Sequence, residues 1–208
     1  LSPTLVDSLL IGKLQCHYGE IMQRIAIYDM DKTITRTATF GPFLKFAAKR
    51  GNPLRFLLFP AFAVVALIHW AAETLVSNCL GKALARIAAD KAEGCQLVLA
   101  SASNRIYVAE VARLLGFEAA ICTDNAVSAN GEVLADIPGP NCYGEAKLAL
   151  IRDWMEAQGL DRAACHIRFY SDHVTDTPCM DWADEAFATN PHPPLLALAK
   201  ARGWAILD

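Results

Sequence analysis

The sequence has no basic excess. Its 208 residues carry 19 Lys and Arg against 22 Asp and Glu, a formal charge of -3 with a pI near 6.0, so nothing in it resembles a nucleic-acid surface. It also lacks a cysteine framework. Seven cysteines (Cys16, Cys79, Cys95, Cys122, Cys142, Cys165, Cys179) make an odd number with no C-x-x-C pair and no regular spacing. That fits reduced thiols in a cytoplasmic protein better than disulfides or a zinc site. No secretory signal opens the chain, because Leu1 to Glu20 mixes Asp7, Lys13, His17 and Glu20 into a short apolar run. The chain starts at Leu1 rather than Met, which points to a sequence trimmed or joined across missing segments. No apolar run reaches the roughly 20 residues of a membrane-spanning helix. What is present in quantity is core: 54% of the residues are hydrophobic and the mean hydropathy is +0.26, enough for one domain with an insertion or two small ones.

The chain is organised around Arg24 to Thr35, RIAIYDMDKTIT. Strand-forming Ile25 to Tyr28 delivers Asp29 and Asp31 to its C-terminal end, where ligands sit in an open α/β sheet. Side chains two apart on an extended segment point the same way, so both acids face one site. Carboxylates that close repel unless a cation or proton lies between them, which asks for a hard divalent metal such as Mg2+. The plainer alternative is a strand end followed by an Asx-type turn.

Ala38 to Arg50 reads as an amphipathic helix stopped at Gly51. Phe56 to Ile68 is an apolar run of 13 with Pro60 near its start, open to three readings: internal packing, interfacial membrane contact, or a span. Leu80 to Glu93 is helical, followed by a strand at Gln96 to Ala100, a helix at Arg105 to Leu115 and a strand at Glu118 to Cys122. The alternating AVSANGEVL with Asn130-Gly131 at its tip is a hairpin signal. Then come a helix at Tyr143 to Gln158, strands at Ile167 to Ser171 and Glu185 to Thr189, a helix at Leu195 to Arg202 and a last strand at Trp204 to Leu207. Alternating strands and helices predict an α/β fold, a Rossmann-like parallel sheet covered on both faces. The helical block between the first two strands predicts an inserted cap: residues 37-91 as cap, 1-36 and 92-208 as core.

Three further stretches bear on the acids. The strand QLVLA delivers Ser101, then Ala102, Ser103 and Asn104 where a helix begins, a hydroxyl and backbone N-H groups suited to phosphate or simply a helix cap. Lys147 lies one turn into its helix, ordinarily a solvated position. The strand IRFYS delivers Asp172, with Asp176 four residues on and on the same face of a helix starting there; alternatively Asp172 caps and Asp176 is solvated.

In that order, the D-x-D-x-T strand end, the strand ending in Ser, the downstream Lys and the strand into D-x-x-x-D resemble the four motifs of haloacid dehalogenase (HAD) superfamily phosphohydrolases. The insert after the first motif, SDHVTD and the tail TNPHPPLLALAKARGW are similar to the phosphoserine-phosphatase-like branch. The resemblance covers Arg24 to the C-terminus. It implies a HAD fold and Mg2+-dependent hydrolysis of a phosphate monoester, with Asp29 as nucleophile forming an aspartyl-phosphate and Asp31 as general acid and base. Ser101, the Ala102 N-H and Lys147 would bind the phosphoryl group. Asp29, the Asp31 carbonyl and Asp172 would hold the metal, with Asp176 orienting a water on it or Lys147. Two features depart from the branch: His173, Val174 and Thr175 replace its glycine-rich segment, and the cap is short between Ala72 and Ala92.

Caps of this superfamily select the leaving group. This one offers few polar residues (Lys45, Lys49, Arg50, Arg55, His69, Glu73), which points to a hydrophobic or lipid phosphate and peripheral membrane contact. A small soluble phosphate such as phosphoserine, a phosphotransferase using the same intermediate, and a non-catalytic binding module are the competing readings. His69, His173 and His192 are scattered, as packing or surface residues are. Oligomeric state stays open.

Overall fold

The computed structural model describes residues 22-39, 79-126, 129 and 137-207. The expected helix at Ala38 to Arg50, the apolar run Phe56 to Ile68 and the hairpin around Asn130 lie outside them wholly or in large part. Six strands form one parallel sheet: β1 (Gln23–Tyr28), β2 (Gln96–Asn104), β3 (Ala119–Thr123), β4 (Cys165–Ser171), β5 (Glu185–Thr189) and β6 (Ala205–Leu207). Their order is β3-β2-β1-β4-β5-β6. The chain therefore builds outward from β1 on one side, then returns to the other side of β1 with β4. Ligands in open α/β sheets bind where the order reverses in this way, beyond the carboxyl ends of the strands.

β1 is apolar from Ile25 to Tyr28, where both its faces are covered. Ile25 and Ile27 enter one core, Ala26 and Tyr28 the other, as a period of two requires. The Tyr28 face is covered by α1 (Gly81–Ala92) and α2 (Arg105–Leu115), through Ala83 and Ile87 of the first and Tyr107, Val108 and Val111 of the second. The Ile27 face is covered by α3 (Glu145–Ala157), α4 (Thr177–Trp182) and α5 (Pro193–Arg202), through Leu148, Ile151, Met180 and Leu195. Gly81–Ala92, assigned by the sequence to the insert, thus packs on the sheet. Ile34 accepts a backbone hydrogen bond from Leu80 at 2.8 Å, and Thr35 bridges Cys79 antiparallel. The described segments on either side of residues 40-78 are therefore joined to each other at Ile34, Thr35, Cys79 and Leu80.

Several boundaries differ from those read in the sequence. β2 runs four residues further, to Asn104, with a register shift against β3 between Ser101 and Asn104. Ser101 to Ser103 are therefore extended, and the helix starts at Arg105 with the Asn104 side chain accepting from Ile106 N at 2.9 Å. α3 starts at Glu145 rather than Tyr143, because Gly144 adopts φ 57 and ψ -131, outside the helical region. Six cysteines are described, all free and buried. Among the described residues no helix is long and apolar enough to cross a membrane.

Candidate active site

β1 ends at Tyr28, and its pairing with β4 continues for one bond, Asp29 N donating to Tyr170 O at 2.9 Å. The register that sets Tyr28 opposite Tyr170 brings Asp29 level with the start of the S-D-H segment after β4. The chain then turns at residues 31-34. Ile34 N and Thr35 N both donate to Met30 O, at 3.0 and 3.1 Å, and Lys32 takes φ 60, a left-handed conformation that costs a non-glycine residue about 1–2 kcal/mol. This turn, rather than continued strand alternation, carries Asp31 to the cavity that Asp29 lines. The Asp31 carboxylate is gripped at both oxygens. Oδ1 accepts from Thr39 N at 2.8 Å and Thr39 Oγ1 at 2.7 Å, and Oδ2 accepts from Ser103 Oγ at 3.0 Å.

Lys147 is the largest departure from a surface reading of its position, with a side chain only 2% exposed. Its Nζ donates to Asp29 Oδ1 and to Asp176 Oδ2, each at 2.8 Å. Asp176 Oδ2 also accepts from Ser171 Oγ at 2.8 Å. Asp176 closes a short 3-10 turn, Val174–Asp176, ahead of α4, so it points to Lys147 from a tighter turn than the α-helix expected there. Asp172 is buried at the end of β4, and its carbonyl accepts from His192 N at 3.1 Å and lies 2.8 Å from His192 Nδ1. Ser101 is buried at the bend of β2, its Oγ accepting from Ser103 N at 3.1 Å.

One cavity of about 210 Å³ is lined by Asp29, Asp31, Ser101, Ala102, Lys147, Asp172 and Asp176 together, with Lys32, Tyr143, His173 and Thr175 among its other walls. Acid exceeds base there. Burial lifts the Asp29 carboxyl to about 7, with Lys147 opposing and Asp176 and Asp172 adding to the rise. Burial likewise lifts Asp172 to about 6, with Lys32 and His192 opposing. For Lys147, burial alone would discharge the ammonium, but Asp29 and Asp176 outweigh it and keep the group cationic. Asp176 Oδ1 is buried without a hydrogen-bond partner. Surplus buried carboxylate and an orphaned carboxylate oxygen are what a hard divalent cation would relieve. Among the described residues no three His, Cys, Asp or Glu side chains gather as a ready metal cage. A set of two carboxylates and a main-chain carbonyl, as the resemblance implies, does not need one.

The residues singled out in the sequence therefore meet, although they come from separate stretches of chain. Sequence reasoning missed Thr39 and Ser171, and read Ser103 beside Ser101 as cradle or helix cap rather than as a partner of Asp31; all three orient the acids. Ser171 could have been flagged as a hydroxyl next to Asp172; Thr39 carries no such signal. His173 stacks on His192 with ring centroids 4.1 Å apart, a packing role that leaves one edge at the cavity. Burial pushes the Cys142 thiol up to about 12 and Cys179 higher still, so neither is an activated nucleophile.

Comparison with known proteins follows the same lines. The family model described as haloacid dehalogenase-like hydrolase matches residues 58–181. A Mycobacterium tuberculosis protein named probable phosphatase is 35% identical over 122 residues, covering 59% of this chain and 41% of that protein. A phosphoserine phosphatase of Mycobacterium tuberculosis is 33% identical over 115 residues, covering 55% of this chain and 36% of that one. The chain thus spans less than half the length of these curated relatives. In three dimensions it is similar to a crystal structure of a protein with unknown function from Bordetella pertussis, at 24% identity and TM-score 0.76, covering 90% of this chain and 99% of that one. It is also similar to a phosphoserine phosphatase solved as a phospho-aspartyl intermediate analogue, at 17% identity and TM-score 0.57, covering 89% and 92%.

Proposed function

Because the chain belongs to the haloacid dehalogenase-like hydrolases, we propose that it is a phosphatase, hydrolysing a phosphate monoester through an aspartyl-phosphate on Asp29 with Mg2+ as cofactor. The observation that carries this reading is Lys147, a buried cation 2.8 Å from Asp29 in a cavity also lined by Ser101 and Asp172. A nucleophilic carboxylate, a cation and a hydroxyl around one phosphate-sized space are what a two-step phosphoryl transfer needs.

In the first step a carboxylate oxygen of Asp29 attacks phosphorus, the bond to the leaving oxygen breaks, and Asp31 gives that oxygen its proton. In the second, water attacks the phosphoryl group, yields a proton to Asp31, and releases inorganic phosphate and the free Asp29 carboxylate. The two bonds from Thr39 and the one from Ser103 hold Asp31 in one orientation for both transfers. Lys147, Ser101 Oγ and the Ala102 N-H would bind the equatorial oxygens, where charge develops. Asp176, tied to Ser171, aims Lys147. The carboxylates of Asp29 and Asp172 and the Asp31 carbonyl would hold the Mg2+, with Asp176, whose Oδ1 has no hydrogen-bond partner, orienting a water on it; when bound, the ion would neutralise phosphoryl charge.

For the substrate, the apolar stretch Phe56 to Ile68 supports a hydrophobic or lipid phosphate and peripheral membrane contact. A small soluble phosphate is the second reading, favoured by the relative named phosphoserine phosphatase. The division into a core and an inserted cap belongs to the same proposal, with Gly81–Ala92 counted in the core because it packs on the sheet, so that the cap is narrower than the 37-91 read in the sequence. Phosphate release should be assayed over lysophosphatidate, phosphatidate, phosphoserine and sugar phosphates, with Mg2+ and after chelation. The reading expects Mg2+-dependent release, fastest from the lipid esters; a soluble ester ahead of them selects the second reading. No release from any ester with Mg2+ present rejects the phosphatase.

A further inference from the structure

His173 is partly buried and lines the cavity at Asp29, yet the phosphoryl transfer itself gives its imidazole nothing to do. Its neighbours fix where its proton sits. Thr175 N donates to His173 Nδ1 at 3.4 Å, capping the turn Val174–Asp176, and Thr175 Oγ1 lies 2.9 Å from the same nitrogen. A backbone N-H can only donate, so Nδ1 accepts, the ring is neutral and its one proton is on Nε2. His192 takes the opposite form. Its Nδ1 lies 2.8 Å from Asp172 O, and a carbonyl can only accept, so that nitrogen carries the proton. The two rings stack with centroids 4.1 Å apart and planes at 3°. His173 is thus held at one nitrogen and across one face. Among the described residues its Nε2 has no hydrogen-bond partner, and it does not belong to the buried unpaired atoms, so this donor is accessible.

The size of the cavity limits what that donor can reach. Sites that enclose a whole ligand run to roughly 300–1,000 Å³; at about 210 Å³ this one takes a phosphoryl group and only the first atoms of the leaving group. We propose that His173 is a specificity-determining residue, its Nε2-H donating to an oxygen on the carbon beside the ester carbon, so that the site selects phosphate esters of alcohols carrying a second oxygen. The ring is already held by Thr175 and His192, so little ordering is lost when the bond forms. An ester with hydrocarbon at that position leaves the donor facing a methyl or methylene group instead of water, which is unfavourable. The proposal rests on the phosphatase reading and narrows its substrate: glycerol-based lipid phosphates and small soluble polyol phosphates both meet the requirement, and simple alkyl phosphates do not.

Matched esters test it: 2-hydroxyethyl phosphate against propyl phosphate, which exchanges a hydroxyl for a methyl, and lysophosphatidate against its 2-deoxy analogue. The pair hydrolysed faster is the one read, and it separates a soluble from a lipid source. With Mg2+ the unaltered chain should favour the hydroxylated ester about tenfold in kcat/KM. His173→Phe keeps a ring on His192 and removes the donor, and should bring that ratio to about one. His173→Gln keeps an N-H donor and should restore most of the preference. Each ratio is taken within one protein, so the folded fraction cancels. No preference in the unaltered chain, or an undiminished one in His173→Phe, overturns the proposal and leaves the phosphatase reading standing. So does a folded His173→Phe variant that loses both esters alike, which would put Nε2-H on the phosphoryl group. No hydrolysis of any of the four esters by the unaltered chain removes the proposal together with the reading it rests on.

Discussion

Lys147 Nζ and Asp29 Oδ1 lie 2.8 Å apart although 118 positions separate them in the chain. The lysine is shared with Asp176, so Lys147→Ala leaves two buried carboxylates without their cation. Removing one partner of a buried pair costs about 3–5 kcal/mol, and loss of a donor to developing charge costs about 10²–10³ in kcat. Urea midpoints and phosphate release should therefore fall together in Lys147→Ala. A variant with normal kcat would remove Lys147 from the reaction.

Asp29→Asn separates chemistry from fold. The carboxyl is lifted to about 7 chiefly by burial, so replacing it by a neutral amide of the same shape relieves desolvation while Asp176 still pairs with Lys147. Turnover should disappear, with the thermal midpoint at least maintained. Wild-type phosphate release from the Asp29→Asn variant, freed of contaminating phosphatase, would exclude Asp29 as nucleophile.

Metal affinity can be read without any assay of activity. An ion that binds only the folded chain stabilises it by about 2.7 kcal/mol at 100 times its Kd, roughly 5–10 °C in Tm for a chain of this size. Mg2+ added after chelation should give such a shift in the unaltered protein and a much smaller one in Asp172→Asn. Equal shifts in the two proteins would take Asp172 out of the metal set.

The Asp31 carboxylate is tethered to Thr39, eight residues on in the chain, as well as to Ser103. Thr39→Val removes the hydroxyl bond and keeps the backbone N-H. It should lower kcat about tenfold through misorientation of the acid, with KM nearly unchanged. A change confined to KM would mean that Thr39 contacts substrate rather than positioning Asp31.

The parallel sheet was legible because its central strands are apolar on both faces and end in acids or hydroxyls: Tyr28 before Asp29, Ser171 before Asp172. The helix at Arg105 to Leu115 was legible from its pattern and its closing glycine, Gly116, at φ 76. Less legible was anything set by neighbours distant in sequence. The depth of Lys147 follows from α3 starting beside Asp29 and the 3-10 turn that carries Asp176, which no local pattern encodes. The extension of β2 through Ser103 depends on pairing with β3 across a register shift. Ser103, Thr39 and Ser171 look like ordinary polar loop residues until the strands bring them to Asp31 and Asp176.

Away from the site, Asp90 governs acid stability. It is fully buried, accepting from Tyr28 Oη, Arg86 and, at 2.7 Å, Arg168 NH1, so it joins α1 to β1 and β4. Burial by itself would raise its pKa, but the hydrogen bonds from Tyr28 and Arg86 and the charge of Arg86 prevail, and the folded-state value is lowered. The unfolded carboxyl titrates near 3.9 (about the reference value). Between the folded and unfolded values the unfolded chain holds the extra proton, so stability rises with pH in that window. The contribution of Asp90 is thus complete above the unfolded pKa and lost as pH falls through the folded one. Asp90→Asn should be about 3–5 kcal/mol less stable at pH 7, with the gap narrowing as pH drops below about 4. Urea unfolding of both proteins from pH 7 to pH 3 checks this, and a constant gap across that range would mean that the Asp90 charge does not couple α1 to the sheet.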